Sequence, residues 1–158
     1  MNDQFEALLA YNEWANRRVF DAARTLTADQ WTASDWHGQP GVRNVLAHAL
    51  SAMIIWRCRL TGVPDERVRG EQFETPDALA AAWTAEASRL RDWLATADAT
   101  ALAAPILRGQ LTWHYVMHAF LHSQQHRSEA ALMLTELGPS PGELDFVIWA
   151  SEERPPTR

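Results

Sequence analysis

Four stretches of the chain repeat apolar residues at three- and four-residue steps, with turn-forming residues between them. Phe5, Leu8, Ala15, Val19 and Ala22 share one face of a helix that the spacing predicts from Asp3 to Arg24. Asn12 interrupts that face and predicts a polar group pointing inward. Thr27-Ala28-Asp29-Gln30 reads as a capping box opening a short helical turn, and the loop SDWHGQPG follows. Val45, Ala49, Met53, Trp56 and Leu60 form the stripe of a second helix, from Val42 to just before Gly62, with His48 on its flank. The polar, turn-rich segment TGVPDERVRGEQFE reads as loop.

Thr75-Pro76 supplies a cap and a first-turn proline for a third helix reaching about Thr96, with Leu79, Trp83, Leu90 and Leu94 inward. Ala101 to Gly109 reads as a connector. A fourth helix is predicted from Gln110 to Leu137, stopped by Gly138-Pro139. It is apolar on nearly every side, at Leu111, Trp113, Val116, Met117, Phe120, Leu121, Leu132 and Leu134, which predicts a place in the middle of a bundle. The tail GELDFVIWA is apolar enough to pack back on the core, and the chain is expected to fray from Glu152. No repeat is evident. Four long helices with little strand signal predict an all-α fold, a four-helix bundle, as one domain over residues 1–158.

Composition narrows the function classes. The 14 basic residues, all Arg, are outnumbered by 20 acidic ones, for a net charge of −6. An acidic surface opposes non-specific binding to nucleic acid or anionic lipid. No stretch approaches the roughly 20 apolar residues of a membrane span. The single cysteine, Cys58, excludes an internal disulfide and fits a reducing compartment. The charged N-terminus lacks the apolar run of a signal peptide, so a cytoplasmic protein is expected. Cys58 stands between Arg57 and Arg59, but ten residues from His48 on one helix is about 15 Å, too far to share an ion.

The histidines change the picture most. Four of six stand at four-residue steps: His114, His118, His122 and His126. Each step turns about 40°, so the line covers about 120° of the helix and about 18 Å of its length. One ion cannot reach all four, but any adjacent pair can share one. A third ligand must come from elsewhere; His48 is the natural candidate and His37, in a loop, the weaker one. Glu129 lies three residues beyond His126, where a carboxylate can orient a ligand histidine or join the ion, and this favours the pair His122 and His126. The residues between them are Ser-Gln-Gln, so this is not the HExxH pattern, and no CxxCH for haem exists. Trp14, Trp36, His37 and Arg43 are candidates for a substrate pocket.

Several segments together resemble the DinB family of metal-binding four-helix bundles. YNEWANRR (residues 11–18) is similar to its first-helix signature, and GVRNVLAHAL (41–50) to the segment whose histidine is a metal ligand. HAFLHSQQHRSE resembles its fourth-helix segment, usually ending in an HRGQ-like string, and GPSPGELDFVIW its closing stretch. The resemblance implies a bundle of up-down-down-up type with a C-terminal segment packed on the core. It implies one divalent metal ion per chain, zinc or nickel, on His48, His122 and His126. Ser128-Glu129 replaces the usual Gly-Gln, which would bring negative charge near the ion. The resemblance settles neither His118 nor His114; both, with Glu129 and His37, are expected around the ligands or lining the pocket.

Relatives that use bacillithiol or mycothiol imply a metal-dependent S-transferase, in which a low-molecular-weight thiol attacks a small electrophile. Hydrolysis by metal-activated water is the alternative, and a non-catalytic metal-binding stress-response protein the alternative of another class. The resemblance further implies a homodimer. Neither a nucleic acid nor a membrane is an expected partner.

Overall fold

Local chemistry sets where the long helices begin and end in this computed structural model, which describes residues 2–152. Helix α1 covers Asn2–Ala23. Thr27 accepts from the Gln30 backbone at 3.2 Å, and the Thr27 backbone donates to the Gln30 side chain at 2.9 Å. This closed capping box starts the short helix α2 at Ala28–Thr32. Helix α3 covers Val42–Thr61 and stops at Gly62, whose φ of 72° suits a residue without Cβ. Helix α4 covers Pro76–Thr96; Thr75 accepts from Ala78 N–H at 3.2 Å and Pro76 occupies the first turn. The five-residue helix α5 covers Ala99–Ala103, α6 covers Thr112–Leu137 and α7 covers Phe146–Glu152.

Two segments read as loop and connector contain hairpins. Strands β1 (Asp35–Trp36) and β2 (Gln39–Pro40) pair antiparallel, as do β3 (Pro105–Leu107) and β4 (Gln110–Leu111). Each closes with two residues of positive φ, His37-Gly38 (51° and 78°) and Arg108-Gly109 (50° and 72°), the backbone that two-residue hairpins favour. The order long helix, five-residue helix, hairpin, long helix thus occurs twice along the chain. The similarity is one of structure, with little shared sequence beyond the Gly-Gln pairs at Gly38-Gln39 and Gly109-Gln110, so no repeat was evident in the sequence.

The predicted stripes become the core. Phe5, Val19, Val45, Ala49, Met53, Leu79, Trp83, Leu90 and Leu94 are all buried, and truncating such a Leu to Ala typically costs about 2–5 kcal/mol. α1 packs against α4 and α6, and α3 against α4 and α6. Glu13–Arg91 and Arg24–Asp77 run the α1–α4 contact in opposite senses, while Tyr11–Gln124 and Asn16–Arg127 run α1 and α6 in the same sense. α6 is not enclosed on all sides: Leu121 and Leu132 are 61% and 56% exposed. In a four-helix bundle each helix keeps an outer face, and apolar composition alone does not remove it.

The inward polar group predicted at Asn12 is present. Asn12 is 3% exposed and its Oδ1 accepts from Ser123 at 2.9 Å and from Arg127. Arg127, buried between α1 and α6, also donates to Asn16 Oδ1 at 3.1 Å and stacks on Tyr11. Burial holds its pKa below the usual arginine value. The tail packs back as expected: Trp149 is buried beside Tyr11 and Trp14, and Tyr11 Oη lies 2.7 Å from Leu144 O. The fraying expected from Glu152 falls beyond that residue outside the described part.

Candidate metal centre

α3 and α6 cross the bundle antiparallel, so that His48 meets His122 and His126 while Trp56, further along α3, meets Tyr115. One ligand atom from each of His48, His122 and His126 lies within 4.8 Å of the others. The pair on α6 is closer still, with Nε2 of His122 and Nε2 of His126 3.2 Å apart. Two imidazole nitrogens sharing one tetrahedral ion at about 2.0–2.1 Å would stand about 3.3 Å apart. His48 is exposed and the other two half-buried, so the cluster opens to solvent on the α3 side. Three protein nitrogens and an open side leave room for an external ligand.

Glu129 completes the arrangement. Its Oε2 lies 2.6 Å from His126 Nδ1, and Oε1 accepts from Gln125 Nε2 at 3.3 Å. Burial pushes the Glu129 carboxyl upward, but these hydrogen bonds outweigh it and hold the pKa below the usual carboxylate value. An ionised Glu129 accepts the Nδ1 proton of His126 and leaves Nε2 as the free lone pair, turned towards His122. His48 is exposed on one side only: partial burial within the cluster, followed by the neighbouring His126, lowers its pKa. Burial and then His126, His48 and His118 lower that of His122 to about 4. Both are therefore neutral near pH 7, the state that binds a metal. Nδ1 of His122 is buried and has no protein partner among the described residues.

The model of the DinB family matches residues 1–155. The chain belongs to the DinB family. No curated protein compared with it gives a match. In this DinB-family chain the three-histidine cluster can hold a metal ion.

The remaining histidines separate into different surroundings. His118 is exposed beside the cluster, its ring 5.6 Å from that of His122 and 5.1 Å from that of Trp56. His114 Nδ1 accepts the Leu111 N–H at 3.3 Å, tying the start of α6 to the β4 strand. His37 sits in the first hairpin turn against Trp36, with Nε2 3.6 Å from Glu136. Glu136 is ten residues beyond His126, about 15 Å along α6, so His37 faces the far end of that helix.

Cys58 is fully buried. Trp14 is buried with Tyr11 and Trp149, and Arg43 donates to Thr32 O at 3.3 Å. The cleft beside the cluster is built instead from Trp56, Arg59, Arg108, His114, Tyr115 and His118, and encloses about 750 Å³. By spacing, Trp56 belongs to the apolar stripe of the second helix, and Arg108 falls in the connector. The available signal was that Trp56 lies two helical turns beyond His48.

Proposed function

We propose that this chain is a metal-dependent enzyme in which His48, His122 and His126 hold one divalent ion, zinc or nickel, and which transfers a low-molecular-weight thiol to an electrophile. The observation that carries the reading is the convergence of three imidazoles from two helices, with Glu129 orienting one of them. When bound, the ion supplies Lewis acidity that favours the deprotonated form of a thiol or water beside it. The chain's own residues do the rest. Glu129 aims the His126 lone pair, the exposed side at His48 admits the thiol, and the adjoining cleft receives the electrophile. In the transfer the sulfur forms the new bond to carbon, the leaving group departs with the electron pair of the broken bond, and the thiol proton passes to water.

Thiol transfer ranks above hydrolysis because Glu129, the carboxylate at the cluster, is engaged with His126 and Gln125 and is not free to serve as a general base. The test is conjugation of 1-chloro-2,4-dinitrobenzene with bacillithiol, mycothiol and glutathione in turn by the zinc- or nickel-loaded protein. Turnover with at least one thiol, abolished by a chelator and in His48→Ala, is expected. A rate equal to the uncatalysed one with all three thiols, or turnover unchanged by the chelator, would contradict the proposal.

A further inference from the structure

The cleft beside the histidine cluster has a composition unlike the rest of the molecule. The chain carries more acidic than basic residues, yet among the described residues no acidic side chain lines this cleft, whereas Arg59, Arg108, His114 and His118 do. Arg59 is partly neutralised: its Nε and Nη2 donate to Asp65 at 3.3 and 2.9 Å, which holds the guanidinium 4.9 Å over the Trp56 ring. Arg108 makes no ion pair among the described residues and is exposed. It stands at φ 50° in the first position of a hairpin turn where Asn, Asp or Gly is the usual residue. Local backbone preference therefore does not account for an arginine there.

The apolar part of the cleft is mainly aromatic, from Trp56 and Tyr115, with Leu107 beside them. Trp56 and Tyr115 pack at 4.8 Å with 31° between their planes. The Tyr115 hydroxyl is already satisfied, donating to Leu107 O at 2.9 Å, and the buried ring backs Trp56 in the wall. His114, which also lines the cleft, accepts the Leu111 N–H on Nδ1, which leaves Nε2 as the nitrogen that can donate. His118 stands between Trp56 and His122 and joins the cleft to the metal centre.

We infer that this cleft is the binding subsite for an electrophile that carries a flat ring and an anionic group, the ring against Trp56 and Tyr115 and the anion on Arg108 and His114. The inference deepens the proposed transfer reaction and rests on it for the chemistry at the far end of the cleft, but the binding it describes needs no metal. Arg108 has no carboxylate partner among the described residues and stands at a cleft without acidic lining, so its charge is available to an anion.

Naphthalene-2-carboxylate and its neutral counterpart naphthalene-2-carboxamide are suitable probes, titrated by calorimetry into the full chain before and after treatment with EDTA. The carboxylate is expected to bind at least tenfold more tightly than the amide, with or without EDTA. Arg108→Asn suits the turn at positive φ, so it removes the charge without straining the hairpin, and it should abolish the preference. Arg108→Lys should retain most of it. Equal affinities for acid and amide, no binding of the acid at millimolar concentration, or an unchanged preference in Arg108→Asn would overturn the inference. So would binding of the acid that disappears with EDTA, because the anion would then sit on the ion. A preference that persists in a protein shown to bind no metal would sink the transfer chemistry and leave the subsite standing.

Discussion

Glu129 is the residue on which the balance of charge at the cluster turns. Its Oε2 lies 2.6 Å from His126 Nδ1, and its side chain is 42% exposed, so solvent weakens its effect without removing it. Carboxylates that orient ligand histidines typically change metal affinity by about 10–100-fold. Glu129→Gln keeps the size and one acceptor but loses the charge, and should weaken zinc affinity about tenfold in a competition titration with a chromogenic chelator. Unchanged affinity would show that His126 needs no carboxylate. This much of the site was legible in sequence, because i to i+3 and i to i+4 spacing on a helix fixes which side chains meet. Arg108 and Tyr115 were not legible as cleft residues. Their meeting with Trp56 depends on the antiparallel contact of α3 and α6, and no local spacing encodes that contact.

At the scale of elements, the four long helices followed from periodicity and caps to within two residues, whereas α5 lies where a connector was expected and α7 in the apolar tail. The hairpins did not follow, since strands of two or three residues carry no alternation, and turns opening with His37 and Arg108 lack the Asn-Gly signature. The outer face of α6 was misjudged because an all-round apolar pattern cannot say which side is covered. The junction that places α3 is tight: a Cβ on Gly41 would come 2.2 Å from Ala33 O, a backbone atom that cannot rotate away. Gly41→Ala should therefore destabilise the protein by about 1–3 kcal/mol, read as a lower midpoint in urea at unchanged m-value. An unaltered midpoint would show that the α2–α3 junction yields freely.

Across the whole molecule, the bundle holds its histidines from two directions. α6 is anchored to α1 through buried Arg127, Asn12 and Asn16, and faces α3 with the opposite side, where His48 waits for His122 and His126. No described helix is long and apolar enough to cross a membrane, consistent with helices whose charges face outward on a bundle. The measurement that bears most directly on the account is the metal content of purified, untagged protein by elemental mass spectrometry, beside folded His48→Ala and His122→Ala variants. The account predicts about one zinc or nickel per chain, lost from both variants. No bound metal after reconstitution with either ion, or full occupancy in both variants, would contradict it.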